Sequence, residues 1–408
     1  MRARLILVVP SFPKLSETFI VSKAAGLLEA GWDVHVVCQR REPEIWRQFP
    51  DAIRAALERR VHVTWPVEPR LFSAALLPAA LGACAMRSPA STGRYLRRGR
   101  RQFGWDSLRR IYLDAMVMNL SPDIVHYEFG TLAVGKTYVK DLLGCRLSVS
   151  FRGFDLNFAG LEEPRYYDEV FREADLIHCL GEDLWRRAVG RGCPPDKQHV
   201  LIPPAIDVAF FDPGERAAAR VVGTPDRPLR ILSVGRLEWK KGYEDALEAI
   251  RRLRDAGIAV EYRIVGEGGY REAIAYARHE MDLEESASFL GPLPPTNIKR
   301  EMLRADVFLH AAVSEGFCNA VIEAQAMELP VVCTDADGLP ENVRDGETGF
   351  VGPRRNPEAL ARGLSRLAAD PPLRERMGRA GRKRVVEHFR IEDQVAAFDR
   401  AYAKLLRA

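Results

Sequence analysis

The stretch from Ile231 to Ile250, ILSVGRLEWKKGYEDALEAI, decides the fold. Its opening belongs to a run, Leu229–Val234, that is mostly apolar without regular alternation, so it predicts a strand buried on both sides. Gly235 ends the run and permits a tight turn. From Gly242 to Ala256 the apolar residues recur at helical spacing. Strand, turn and helix repeat downstream, with strands predicted at Val260–Val265, Ala287–Leu290, Val307–His310, Val331–Thr334 and Phe350–Val351 and a helix at Tyr270–Met281. Upstream the same alternation appears. Strands are predicted at Leu5–Val9, Asp33–Cys38, Asp123–His126, Arg146–Phe151, Leu176–Leu180 and His199–Ile202, and a helix at Glu17–Ala30 is stopped by Gly31.

The two series are separated by Pro203-Pro204, Asp212-Pro213-Gly214 and Thr224–Pro228, an irregular stretch rich in turn residues. The expected architecture is therefore α/β, with two Rossmann-like, doubly wound domains. The expected boundaries are 1–205 and 206–385, followed by a C-terminal helix within 386–408 that packs back toward the first domain.

A length of 408 residues suits two cores better than one. Hydrophobic residues make 47% and charged residues 28%, an ordinary globular composition that excludes disorder and collagen-like repeats. A net charge of +4 is too weak to imply nucleic-acid binding. The seven cysteines are scattered and form no CxxC pair, which speaks against a disulfide framework or zinc site and fits a reducing cytoplasm. The N-terminal apolar run is too short for a secretory signal, and no stretch reaches the roughly 18 apolar residues of a membrane span.

Arg236 stands at the carboxyl end of the predicted 229–234 strand, where open α/β sheets bind ligands. Lys241 follows five residues later, beside a helix start. An arginine clamp and a lysine point charge at such a place form a pocket for a diphosphate. The alternative is a solvated basic loop. A second constellation is Ser314–Glu323, SEGFCNAVIE, where Glu315 and Glu323 lie eight residues apart after the strand ending at His310. Gly316 and Phe317 precede a helix, so main-chain N–H groups there lack intrahelical partners. Carboxylates suit sugar hydroxyls because each accepts two hydrogen bonds from a diol. Two glutamates on a helix surface would read the same way. The run Val265-Gly266-Glu267-Gly268-Gly269 permits close backbone approach to a ligand, and equally describes a plain turn.

These residues carry a resemblance. The C-terminal half is similar to the family 4 glycosyltransferases, retaining enzymes of the GT-B fold, in Val234-Gly235-Arg236 with Lys241-Gly242, in the Val265–Gly268 turn, and in EGFCNAVIEAQAMELPVVCTDADGLPENVRDGETGF at 315–350. The resemblance implies two Rossmann-like domains facing a central cleft, and a nucleotide-diphosphate sugar donor. By it Arg236 and Lys241 hold the diphosphate, Glu323 takes the ribose hydroxyls, and Glu315 orients the donor sugar. Gly266, Glu267 and main-chain groups of Phe317, Cys318 and Asn319 lie nearby. The N-terminal half resembles the subgroup that makes exopolysaccharides such as colanic acid, in Ser11-Phe12-Pro13, Ser16-Glu17-Thr18-Phe19-Ile20 and Ser150-Phe151-Arg152-Gly153-Phe154-Asp155. Ser16 is a good N-cap for the first helix. With Glu17 it reads as part of an acceptor or phosphate site, as do Arg152 and Asp155, for which a salt bridge between the two is the bland alternative.

One departure stands out. Many relatives carry His-x-His where this chain reads His126-Tyr127-Glu128. Glu128 then takes the place of a histidine often assigned near the reacting centre, where a carboxylate could accept a proton or stabilise an oxocarbenium-like sugar. His126 is the second candidate, or a buried strand-end histidine with no catalytic part.

Leu71–Met86 is mostly apolar and is followed by Arg87, Arg94, Arg97, Arg98, Arg100, Arg101, Arg109 and Arg110. Such a pairing fits a surface lying on an anionic membrane, through 71–110, and equally fits a core helix beside a solvated basic face.

The expected function is a retaining transfer of a hexose from a nucleotide sugar to a glycan or lipid-linked acceptor, in bacterial surface or exopolysaccharide synthesis. The expected place is the cytoplasm, with a peripheral contact on the inner face of the membrane as the reading that 71–110 opens. No metal or resident cofactor is implied, the nucleotide sugar being a co-substrate. A sugar-nucleotide epimerase, a phosphorylase-like enzyme or a catalytically silent nucleotide-binding subunit are the alternatives.

Overall fold

The computed structural model describes residues 3–14, 17–66, 70–214 and 220–407. They form two compact units. The N-terminal unit holds residues up to Leu180, Leu184–Ile202 and the closing segment Ile391–Ala408; the C-terminal unit holds Gly181–Asp183 and Pro203–Arg390.

The N-terminal unit is built on a seven-stranded sheet of β1 (Arg4–Phe12), β2 (Asp33–Arg41), β3 (Val61–Val63), β4 (Ile124–Tyr127), β5 (Arg146–Phe151), β6 (Leu176–Cys179) and β7 (His199–Leu201). The order is β3-β2-β1-β4-β5-β6-β7, and every pairing is parallel. The C-terminal unit has six strands, β8 (Leu229–Val234), β9 (Val260–Val265), β10 (Ala287–Gly291), β11 (Val307–His310), β12 (Val331–Thr334) and β13 (Gly349–Gly352). Their order is β10-β9-β8-β11-β12-β13, again all parallel. Each sheet reverses direction once, between β1 and β4 in the first and between β8 and β11 in the second. Those are the places where the flanking crossovers diverge and leave a crevice outside the strand ends.

The unbroken apolar runs have a direct cause. Along a strand, neighbouring side chains point to opposite faces. Ile231, Leu309 and Val332 join the core on one face of the second sheet. Leu232, Phe308 and Val331 join the core on the other. Both faces of these central strands are covered, so apolar residues occupy both.

The segment between β3 and β4 folds as three helices, Arg70–Arg87, Pro89–Phe103 and Asp106–Asn119. The closing helix, Ile391–Arg407, packs within the N-terminal unit, where Val395, Phe398, Tyr402 and Leu405 join Ile20, Ala24 and Leu27 of the Thr18–Glu29 helix in one core. The seven cysteines are buried free thiols.

Several element ends differ from expectation. The helix after β8 starts at Tyr243, because Gly242 is a left-handed residue with φ 63°. The strand expected at Asp123–His126 runs Ile124–Tyr127. The short edge strand β3 was not anticipated.

Candidate active site

Three glycines build the C-terminal site by letting backbones touch. Gly235 N donates to Val265 O at 3.0 Å, and a Cβ on Gly266, whose φ is +140°, would lie 1.9 Å from Gly235 O. A Cβ on Gly242 would lie 2.1 Å from Ala311 O. The turn after β8 is thus pressed against the turns after β9 and β11, and Val313 N donates to Lys240 O at 2.8 Å. This carries Lys241 across to the end of β11.

There Lys241 Nζ pairs with Glu315 Oε2, which also takes His310 Nε2 at 3.2 Å. The other ring nitrogen of His310 faces Cys318 Sγ at 4.0 Å. All of these side chains are at most 15% exposed. Burial alone disfavours every charge here, but the opposite partners win. Lys241 and His310 hold the Glu315 carboxyl down to about 2. Cys318 and Glu315 hold the His310 imidazole up to about 9. Lys241, despite its desolvation, lies above the ordinary lysine range because of Glu315. At neutral pH the trio is two cations on one carboxylate.

Arg236 adds a third positive charge whose field reaches Lys241. Its side chain is 58% exposed and pairs with Glu238 at 2.6 Å, an exposed contact that a polyanion can replace at little cost. Glu323, half-buried in the Asn319–Ala326 helix, has no side-chain hydrogen-bond partner among the described residues, and burial pushes its carboxyl up to about 7. Main-chain donors are partly spent: Cys318 N–H donates to Asn342 Oδ1 at 3.2 Å, whereas those of Phe317 and Asn319 have no protein acceptor among the described residues. The Phe317 ring packs on Phe389, with centroids 5.7 Å apart. Glu267 is exposed, and its carbonyl accepts from Leu237 N at 2.8 Å.

Asp337 was not singled out in the sequence. Its Oδ2 accepts from Ser314 Oγ at 2.5 Å and from Glu315 N at 3.0 Å. Gly338 N donates to Glu315 O at 2.9 Å. The Asp337-Gly338 turn therefore braces the turn that carries Glu315.

In the N-terminal unit, Glu128 has no exposed surface. Its Oε1 takes Lys23 Nζ at 2.6 Å and its Oε2 takes Arg152 Nη2 at 2.8 Å. Those cations outweigh its burial and hold the carboxyl below the usual range. His126 also has no exposed surface. Its Nδ1 lies 2.9 Å from Ser148 Oγ and 3.1 Å from Tyr402 Oη, and its Nε2 lies 2.7 Å from Ser150 Oγ. Ser150 Oγ also meets His178 Nδ1 at 2.7 Å, while His178 Nε2 lies 2.8 Å from Ile202 O. The Ile202 carbonyl makes Nε2 the protonated nitrogen of His178, so Ser150 Oγ donates to His178 Nδ1, while His126 Nε2 also faces Lys23 Nζ at 3.3 Å. Burial and the Lys23 charge keep both imidazoles well below the ordinary range.

Residues 215–384 match the family model described as glycosyl transferases group 1. The amylovoran biosynthesis glycosyltransferase AmsK of Erwinia amylovora is 30% identical over 381 residues, 88% of each chain. The chain belongs to the group 1 glycosyltransferases, family 4. WcaL of Salmonella typhimurium, named for colanic acid biosynthesis, is 29% identical over 413 residues, 97% of each chain. Among solved structures, Anabaena HepE in complex with UDP and glucose superposes with a TM-score of 0.74 at 14% identity, over 98% of this chain and 100% of that one. The fold is therefore GT-B, in a transferase related to exopolysaccharide enzymes.

Against the expectations for this transferase, the structure brings Arg236, Lys241, Glu315, Cys318 and the Gly266 turn together at one sheet end. It places His126 and Glu128 otherwise. Neither has exposed surface in this structure, and each side-chain polar atom of both has a protein partner. Arg152 does not bridge to Asp155 through its side chain; Asp155 is buried and accepts from Arg152 N at 2.9 Å and from Thr131 N at 3.0 Å. Ser16 lies outside the described residues. Glu17 takes the N-cap position of the Thr18–Glu29 helix without a side-chain cap, and its carboxylate takes Lys14 Nζ at 2.9 Å.

In the 71–110 segment, Ala75, Pro78, Ala79, Ala85 and Met86 of the Arg70–Arg87 helix are exposed. The following helix exposes Arg97, Arg100 and Arg101, while Arg94 and Arg98 are anchored to the carbonyls of Leu143 and Asp141. Trp105 is 75% exposed beneath Arg100. Among the described residues no helix is long and apolar enough to cross a membrane.

Proposed function

We propose that this transferase moves a hexose, with retention and without a metal ion, from a nucleotide-diphosphate sugar to a sugar hydroxyl of a glycan or lipid-linked acceptor in bacterial surface or exopolysaccharide synthesis. The observation that carries the reading is the cationic group of Lys241, His310 and Arg236 at the β8–β11 reversal of the second sheet, with the unpartnered Glu323 on the helix that follows β11. Lys241 spends one ammonium hydrogen on Glu315 and keeps two for phosphate oxygens. Arg236 exchanges Glu238 for the diphosphate. Glu323, ionised, accepts both ribose hydroxyls, and Glu315, fixed by Lys241 and His310, orients the hexose. Gly266 and Glu267 border the base, and the Phe317 and Asn319 N–H groups, with the backbone of Cys318, line the sugar side.

The bond from the anomeric carbon to the diphosphate oxygen breaks, and the acceptor oxygen bonds to the same face. The acceptor proton passes to the departing diphosphate. Negative charge grows on that leaving group, so cations already in place lower the barrier more than they strengthen substrate binding. HepE was solved with UDP and glucose, which makes UDP-glucose the first donor to try. We further propose that the apolar face of the Arg70–Arg87 helix and the arginines beside it rest on an anionic membrane, at the cytoplasmic side, where a lipid-borne acceptor is found.

The test is transfer from UDP-sugars to lipid-linked oligosaccharide by wild type and by Arg236→Ala, a substitution on an exposed side chain that leaves the core untouched. Transfer should fall at least a hundredfold; unchanged transfer rejects the reading.

A further inference from the structure

The N-terminal unit has its own charged group at the reversal point of its sheet, and nothing in the transfer reaction just described uses it. β1, β4 and β5 are adjacent and parallel, so their carboxyl ends share one edge. Glu128 and Phe129 follow β4, Arg152 follows β5, and Phe19 and Lys23 lie one turn apart on the helix that follows β1. One residue grips the guanidinium twice: Arg152 Nη2 donates to Glu128 Oε2 at 2.8 Å, and Arg152 Nε donates to Glu128 O at 3.0 Å. The guanidinium carbon lies over two half-buried rings, 4.2 Å from the Phe19 centroid and 5.2 Å from that of Phe129. The side chain is 11% exposed, and Nη1 has no acceptor among the described residues.

A guanidinium this constrained keeps only one direction free. Lys23 takes the remaining Glu128 oxygen at 2.6 Å and lies 3.9 Å from the Phe398 ring centroid, sealed from water at 2% exposure. It is a fixed counter-charge that holds the carboxylate in its forked orientation. A buried carboxylate with one cation would be free to rotate toward it; with two, one on each oxygen, its plane is set, and with it the aim of Arg152.

We propose that Glu128 is a positioning residue: with Lys23 as its buried counter-ion it aims Arg152 to bind an oxyanion carried by the acceptor. The shared chemistry is a phosphate or a carboxylate, and its two sources are the diphosphate of a lipid carrier and the carboxyl of an acidic sugar. The proposal rests on the transferase reading for the existence of an acceptor.

The experiment is calorimetric titration of the full chain, held in saturating UDP so that the donor site is filled, with inorganic pyrophosphate in one arm and glucuronate in the other. Wild type should bind at least one; pyrophosphate alone assigns the lipid carrier and glucuronate alone the acidic sugar. Arg152→Gln should weaken that binding about tenfold or more, and Arg152→Lys should not restore it, because an ammonium cannot be gripped at two points. Glu128→Gln alone strands Lys23 and can cost the fold. The double variant Lys23→Met with Glu128→Gln removes both buried charges together and should also lose about tenfold, with unchanged UDP affinity. Binding of neither anion by wild type, or wild-type affinity in Arg152→Gln or in the folded double variant, overturns the proposal. Failure of UDP itself to bind wild type would instead reject the donor reading.

Discussion

Replacing Glu323 by glutamine should make the protein more stable and less able to bind its nucleotide. Glu323 has no protein partner, and burial lifts its carboxyl from the ordinary 4.5 to about 7. That displacement corresponds to about 3 kcal/mol held against folding whenever the group is ionised. The sign follows from proton binding. Between pH 4.5 and 7 the unfolded chain has lost this proton while the folded chain keeps it, so stability falls as pH rises across that window. Below it both states are protonated and the glutamine variant should match wild type. Above pH 7 the variant should lead by up to about 3 kcal/mol, or roughly 2–4 °C in Tm per kcal/mol for a unit of this size. Binding should move the other way. A carboxylate accepting two ribose hydroxyls contributes hydrogen bonds of about 1.5–3 kcal/mol each, so UDP should bind the variant about 10- to 100-fold more weakly at pH 8. In wild type the affinity should fall about tenfold per pH unit below 7. Denaturant melts from pH 4 to 9 and UDP titrations of both proteins measure all of this. A variant that is less stable at pH 8, or that binds UDP as tightly as wild type, refutes the assignment of Glu323.

The Lys241–Glu315–His310 group makes its own pH window: with His310 at about 9 when folded against an ordinary 6.5, its stabilisation is complete below pH 6.5 and is lost as pH rises through 9, by about 3 kcal/mol in the melts of the glutamine variant. At the acid end, Glu315, held at about 2, loses the same interaction as pH falls from 4.5 toward 2. Gly266→Ala places a Cβ 1.9 Å from Gly235 O at a φ of +140°, so urea unfolding should show a loss of more than about 2 kcal/mol and UDP binding should weaken. Reversing Arg97, Arg100 and Arg101 to glutamate should abolish co-sedimentation with phosphatidylglycerol vesicles at 0.1 M salt; sedimentation equal to wild type removes the membrane contact.

The sheets were legible because their chemistry is local. Arg146–Phe151, Leu229–Val234, Val260–Val265, Val307–His310 and Val331–Thr334 are short runs rich in buried apolar residues, so each span is visible in the chain itself. β3 escaped because Val61–Val63 is three residues at a sheet edge. The clustering of the C-terminal residues was legible in its members, since Arg236 and Lys241 follow a glycine at a strand end. Its electrostatics were not. Nothing near His310 in sequence announces an imidazole that stays protonated, because that depends on the fold closing Cys318 and Glu315 around it. Lys23 was missed for the same reason. A lysine in an amphipathic helix reads as a solvated one, and its partner Glu128 lies on a different strand end. The two cations that hold Glu128, Lys23 and Arg152, are likewise invisible from its own stretch of sequence.

The account rests on a nucleotide diphosphate meeting the cations at the β8–β11 reversal. Phosphorus NMR of UDP titrated with protein tests this most directly, comparing wild type, Arg236→Ala and the charge-neutral pair Lys241→Met with Glu315→Gln. Both phosphate resonances should shift and broaden with wild type and stay near their free positions with either variant. Equal shifts in all three proteins would contradict the account.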